Sequence, residues 1–383
     1  MKIGVLYPRS KAHPGITADF IDGIKSALKH YQLNNDVQLI TESIGFGGNE
    51  KEVYEKAEKI LIPEAADILV AYIDLRVISF LAPLLHATGK LMIVVNPGAN
   101  YPENWVPQPN IIYLTQQHSF LCWLTGLCAA NNKNGGAAMA TSFYDAGYLH
   151  TAAITKSYIN NGGNILYNYV NNNPYNETFE ITALTDFLSS QKEMETLLCV
   201  FDQKPASLFY DHLNKYEESS RLHLFASPMM LEKEAWEFND TGFNFSIEGY
   251  LPYNAKADNK PNIEFRNVFA THTKREPTVF ALQGWETALI IQEIFNTCKN
   301  NYTDGVFIKN HLITTVITSP RGELKLDRET QYFIAPVYKG TKENNSANMV
   351  ITPAKNIEEE WEKFVANRLE GPNSGWTNTY LCY

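Results

Sequence analysis

The stretch 66–100, ADILVAYIDLRVISFLAPLLHATGKLMIVVNPGAN, constrains the fold more than any other part of this sequence. Two apolar runs, 68–72 and 91–95, flank a helix-like segment, and each ends in a polar, turn-forming break. That order reads as a βαβ unit, because parallel neighbours need a long crossover connection rather than a hairpin. The loops after its two strands carry Asp74, Arg76, Gly98, Ala99 and Asn100. Ligands of open parallel sheets sit outside the carboxyl ends of the strands, so function is expected first at these loops.

The same alternation runs through most of the chain. Strands are expected over 3–7, 37–42, 111–115, 136–141, 164–168, 196–201, 222–226 and 245–252. Helices are expected over 16–31, 50–61, 120–130, 148–160, 182–190, 206–216, 261–273, 278–297, 310–317 and 358–369, and a β-hairpin over 322–327 and 332–338. Asn-rich stretches such as 131–134 and 171–176 read as loops. Repeated βα units predict an α/β fold with parallel sheets covered on both faces. These are more strands than one sheet holds, so two doubly wound lobes are expected, and 383 residues suffice for a core in each.

With 32 basic and 42 acidic residues the net charge is −10, which repels phosphate backbones and argues against nucleic acid as a partner. No apolar run approaches the roughly 18 residues of a membrane-spanning helix, so insertion is not expected. Met1 stands directly before the first strand, with no leader pattern ahead of it. Either a signal peptide is replaced by a starting Met, or the protein is cytoplasmic. The cysteines at 122, 128, 199, 298 and 382 are too scattered for a disulfide framework, and the spacing of Cys122 and Cys128 argues against a bond between them. No metal-binding spacing occurs, so no metal or cofactor is called for, and His118 and His150 read as hinge or surface residues.

Several stretches, taken in order, carry a resemblance. IGVLYP with FIDGIKSAL is similar to the first strand and helix of the type I periplasmic-binding-protein superfamily, in particular its leucine/isoleucine/valine-binding group of ABC-transporter solute receptors. The segment 69–100 resembles that family's ligand-loop unit, and SFYDAGYLHTAAITKSYINNGG the opening of its second lobe. The segment beginning GYLPYNAKADNKPN resembles its return to the first lobe, and SPRGELKLDRETQY its late Gly-turn hairpin. The resemblance implies two lobes joined by three crossovers, near Gln117, Leu251 and Arg328. Residues 1–117 with 252–328 would form one lobe, and 118–251 with 329–383 the other. It further implies hinge closure over a small molecule, with a membrane permease reading the closed shape.

Carried over residue by residue, the resemblance puts the backbone amides of Gly98, Ala99 and Asn100 against a ligand carboxylate or carbonyl, where an ordinary turn is the plainer reading. Asp74 and Arg76 fall where the family has a hydroxyl residue near a helix start. Asp74 then either caps that helix or joins Arg76 in binding a polar ligand. Tyr148, with Tyr144 and Asp145 before it, matches the aromatic wall of the second lobe, although Leu149 stands where the family has Gly. Asp202 and Gln203 end a strand and are expected to face the cleft. Ser10, between Arg9 and Lys11, either reaches the ligand or stays in a solvated loop. Met229 stands where amino-acid receptors of this group place the acid that holds the ligand ammonium. A buried ammonium without a counter-charge is costly, so an ordinary α-amino acid is not the expected ligand unless another carboxylate serves.

The function expected is a solute-binding receptor of an ABC importer, extracytoplasmic, for a small polar ligand. The alternative is a cytoplasmic amide-type sensor of the same fold that regulates a protein partner. An enzyme is not expected, since no nucleophile elbow, Walker A sequence or dinucleotide fingerprint occurs. No helix-turn-helix precedes Ile3, which sets a DNA-binding regulator aside.

Overall fold

A computed structural model describes residues 1–102, 104–131, 136–143, 149–172, 179–236, 242–299, 301–367 and 380. Strands Lys2–Tyr7 (β1), Gln38–Ser43 (β2), Ile68–Tyr72 (β3), Leu91–Asn96 (β4) and Ile111–Thr115 (β5) form a wholly parallel sheet ordered β2-β1-β3-β4-β5. Strands Ala137–Ser142 (β6), Ile165–Asn171 (β7), Thr196–Val200 (β8), His223–Ala226 (β9) and Ser246–Leu251 (β10) pair in parallel in a second sheet. Val316–Ser319 (β11), Gly322–Leu326 (β12) and Phe333–Ile334 (β13) make a small antiparallel sheet. Tyr338–Lys342 (β14) and Val350–Pro353 (β15) then extend the second sheet in antiparallel sense, giving β15-β14-β10-β9-β8-β6-β7.

The connecting helices are Ile16–His30 (α1), Glu50–Leu61 (α2), Leu75–Thr88 (α3), His118–Ala130 (α4), Leu149–Asn160 (α5), Thr182–Ser190 (α6), Gln203–Asn214 (α7), Lys233–Trp236 (α8), Lys260–Thr273 (α9), Val279–Thr297 (α10), Gly305–Ile313 (α11) and Ile357–Ala366 (α12). Every residue of β3, β4, β5, β6 and β8 is buried, as a sheet covered on both faces requires. Alternate residues of one strand even serve two cores. Leu198 and Val200 of β8 pack in one apolar cluster, while Leu197 and Cys199 pack in the other.

Among the described strands, the chain passes from one sheet to another three times: after β5, after β10, and between β13 and β14. Helices α1 and α10 touch closely at two glycines. A Cβ on Gly23 would stand 2.2 Å from the Ala281 carbonyl oxygen, and one on Gly284 2.1 Å from that of Phe20. Helix α12 packs Trp361 and Phe364 against Phe120 of α4 and against Tyr101, with Tyr332 and Trp105 also around Trp361. No helix among the described residues is long and apolar enough to cross a membrane.

Two expected elements differ. Residues 310–317 are not one helix: α11 ends at Ile313, and β11 begins at Val316. The β-branched run there favours an extended chain, and β12 supplies its partner. The expected hairpin is also redrawn. β12 turns tightly back onto β11, meets only the short β13 on its other side, and Tyr338 opens β14 in the second sheet.

Arg321, in the β11–β12 turn, is almost wholly buried and forms a two-pronged ion pair with Glu286 of α10, at 2.8 and 2.6 Å. Ser319 donates to the same carboxylate at 2.9 Å, and Tyr338 of β14 donates its hydroxyl to the Arg321 carbonyl at 3.0 Å. Removing one partner of such a pair strands the other charge in a dry interior. The variant Arg321→Met is expected to lose about 3–5 kcal/mol of stability in chemical denaturation. Arg321→Met combined with Glu286→Leu should recover most of that loss. A single variant as stable as the parent would contradict this account.

Candidate functional site

The ends of β3, β4 and β5 are fastened to one another before any ligand is considered. Asn96, closing β4, donates its side-chain amide to the Ile73 carbonyl at 3.1 Å and accepts from the Gly98 N–H at 2.8 Å. Gly98 has φ +73°, and a Cβ there would stand 2.9 Å from the Gln117 nitrogen, so the turn requires glycine. The carbonyls of Pro97 and Gly98 accept from the first amides of α4, those of His118 and Ser119, at 3.0 and 2.9 Å. The Gly98 amide, expected to face a ligand, is therefore spent inside the loop, and Ala99 is buried with its carbonyl held by the Ser119 hydroxyl.

From Asn96 a chain of amides leads inward. Gln283 of α10 donates to the Asn96 carbonyl at 2.8 Å, and its side-chain oxygen accepts from Gln116 at 2.9 Å and from the Tyr72 hydroxyl at 3.2 Å. The Gln116 oxygen in turn accepts from His118 Nε2 at 3.0 Å. His118 and His150, expected at the hinge or surface, are both wholly buried with ring centres 5.7 Å apart. Burial, with His150 nearby, holds the His118 ring well below the usual imidazole range, and burial alone pushes His150 down to about 3. Both rings are neutral at physiological pH.

This chain ends on Tyr380, whose ring is completely buried. Its hydroxyl donates to Glu232 Oε1 at 2.5 Å and lies 3.4 Å from His118 Nε2 and 3.5 Å from Gln116 Oε1. The ring meets His13 and Phe280 edge to face, each at 4.9 Å between centres, and His118 at 5.6 Å. Ser10 donates its hydroxyl to the Tyr380 carbonyl at 2.6 Å. His13 Nε2 lies 3.5 Å from a carboxylate oxygen of Asp202, just past β8. Burial, reinforced by the Glu232 and Asp202 carboxylates, keeps the phenol of Tyr380 protonated and thus a donor.

Beside this cluster is a cavity of about 350 Å³, lined by Asp74, Arg76, Asn100, Tyr101 and Trp105 and, from α5, Leu149. Asp74 caps α3 by accepting from the Leu75 amide, and its other oxygen accepts from Asn100 at 3.1 Å. The capping reading is thus present, and the carboxyl also borders the cavity. Arg76 lies 4.0 Å from Glu50 and is half exposed.

The expected residues therefore divide. Ser10 and Asp202 meet at the Tyr380 cluster, Asp74, Arg76 and Asn100 border the cavity, and Gly98 and Ala99 shape the loop between. Met229 is fully buried in the apolar core, inside the short 3-10 helix Pro228–Leu231. Gln203 is the first residue of α7. Tyr144, Asp145 and Tyr148 lie outside the described residues. Not anticipated were His13, Gln116, Glu232, Phe280, Gln283 and Tyr380. Glu232 carried a legible signal, an acid three positions after Met229 in the segment following β9.

A model of the periplasmic binding protein family matches residues 1–341. The chain belongs to that family. Members of the family are substrate-binding receptors rather than enzymes, and the likeness to its type I superfamily read in the sequence holds. Among solved structures, a solute binding protein of an ABC transporter from R. palustris in complex with benzoate shares 18% identity at a TM-score of 0.70, over 92% of this chain and 95% of that one. Another from R. palustris, in complex with 4-hydroxybenzoate, shares 15% at 0.69, over 92% and 96%. The branched-chain amino acid transporter substrate binding protein LivJ from Streptococcus pneumoniae, in complex with isoleucine, shares 11% at 0.67, over 92% and 99%. At these identities the likeness is one of fold. No curated protein matches by sequence.

Burial pushes the Asp74 carboxyl up to about 7, against the opposing pull of Asn100, the Leu75 amide and Arg76. Its folded form therefore stays protonated while the unfolded chain ionises near pH 4, so this residue lowers stability progressively between pH 4 and 7 and no further above that. Asp74→Asn removes the titration. Its stability relative to the parent should rise across that window by up to about 4 kcal/mol, measured by urea unfolding at pH 4 and pH 7.5. A difference independent of pH would contradict the burial argument.

Proposed function

We propose that the protein is an extracytoplasmic solute-binding receptor of an ABC importer, holding a small polar molecule between its two lobes and presenting the closed form to a membrane permease. One observation carries this reading. Ser10 and His13, from the loop after β1, and Asp202 and Glu232, from loops of the second sheet, converge on a single buried group. A molecule bound there contacts both lobes only when they are closed, so binding favours closure. The lobes are proposed as 1–117 with 252–328 and 118–251 with 329–383, hinged near Gln117, Leu251 and Arg328.

The chemistry of the site favours a ligand that brings a hydroxyl donor and an aromatic or apolar body. Met229 supplies no counter-charge for an ammonium, and Glu232 is engaged with a hydroxyl. Two structural neighbours, at 18% and 15% identity, hold benzoate and 4-hydroxybenzoate, and a third, at 11%, holds isoleucine. Within that range the reading favours the hydroxylated aromatic acid.

Calorimetric titration with leucine, isoleucine, valine and 4-hydroxybenzoate tests it. Lack of one charge-assisted hydrogen bond removes about 1.5–3 kcal/mol, so each branched-chain amino acid should bind about ten- to a hundredfold more weakly than 4-hydroxybenzoate. Submicromolar binding of any of the three would overturn this assignment and make Glu232 the ammonium anchor.

A further inference from the structure

Tyr380 is separated from Ser10 by 370 positions, yet its ring is wholly enclosed by side chains from both lobes. A tyrosine that serves only as core packing meets apolar walls and satisfies its hydroxyl once. This one meets three polar side chains, Glu232, His118 and Gln116, around its oxygen, with Asp202 and His13 beside the ring. The rings of His13, Phe280 and His118 all stand T-shaped to it, an arrangement that the charge distribution of aromatic rings favours. Glu232 is partly buried and keeps a further contact, so without the phenol it loses one strong hydrogen bond, which water or another hydroxyl can replace.

We propose that Tyr380 is an internal ligand of the interlobe site, so that the solute the site selects carries a phenol and must displace this side chain. The inference rests on the receptor reading above and specifies its substrate class. The outgoing phenol and the incoming one present the same groups: a neutral O–H for Glu232 and an aromatic ring for the three neighbouring rings. Occupancy by Tyr380 then acts as a conformational tax. If the internal phenol fills the site about 99% of the time, the apparent affinity for an external one falls about a hundredfold.

The test uses the full chain and p-cresol, which is the tyrosine side chain without its backbone, with toluene as the analogue lacking the hydroxyl. Tyr380→Ala should melt at lower temperature than the parent, and p-cresol should restore the loss in a saturable way. Its affinity for p-cresol should exceed that of the parent by roughly a hundredfold, and toluene should bind at least tenfold more weakly than p-cresol. Adding Glu232→Gln to Tyr380→Ala should weaken p-cresol at least tenfold and leave toluene unchanged.

Should Tyr380→Ala fail to fold, Tyr380→Phe, which keeps the ring, is expected to bind p-cresol at least tenfold more tightly than the parent. Equal p-cresol affinity in parent and folded variant overturns the proposal. The two readings also fail separately. Aromatic acids that bind parent and Tyr380→Ala equally well overturn the internal ligand and leave the receptor standing. Rescue by p-cresol that no solute competes with supports the internal ligand and counts against the receptor.

Discussion

The Arg321–Glu286 pair is the constraint on which the rest of the architecture turns. A guanidinium and a carboxylate taken out of water cost several kcal/mol each, and only good geometry with extra hydrogen bonds offsets that. Here the offset comes from separate segments: α10 brings Glu286, the β11–β12 turn brings Arg321 and Ser319, and the end of β5 turns its Thr115 carbonyl toward the guanidinium, while Tyr338 of β14 holds the Arg321 backbone carbonyl. The end of the first sheet and one strand of the second are thereby fixed to the same buried residue, the first at its guanidinium and the second at its backbone carbonyl. Gln283 lies one turn before Glu286 on α10, so the helix held by the ion pair also positions the amide chain that leads to Tyr380.

Most of the framework was legible because its physics is local. Fully apolar five-residue runs such as ILVAY, bounded by polar breaks, have few alternatives to a doubly covered parallel strand, and their order along the chain fixes the crossovers. The loops after those strands stand out for the same reason, as the polar breaks that close apolar runs. Misreadings arose where local signals conflict. Residues 310–317 combine a helical end with a β-branched run, and only the partner strand β12 decides between them.

The centre of the site was far less legible. Asp74, Asn100, Asp202 and Ser10 follow strands and so announce themselves, but what each one touches depends on tertiary placement. Glu232 follows the short 3-10 helix that holds Met229, and only tertiary placement brings its carboxylate to Tyr380. His118 read as a hinge or surface residue; burial excludes the surface, and nothing local reveals that it lies between Gln116, His150 and Tyr380. Tyr380 has no local signal at all, since its role exists only through contacts hundreds of residues away.

Helix α12 has a mechanical consequence. Trp361 and Phe364 grip Phe120 at the start of α4, the helix that leads into the second sheet, and, in the same cluster, Tyr101 from the loop after β4. In the proposed two-lobe receptor, this clasp of interlocked rings lies at one flank of the hinge and resists separation there far more than at the opposite lip. Under the proposed closure, opening would have its easiest axis through this cluster, as a swing about a fixed pin rather than a parting of two equal jaws. Two indole rings, Trp105 and Trp361, sit 5.9 Å apart in that cluster, so the molecule carries its own optical gauge at the proposed pivot.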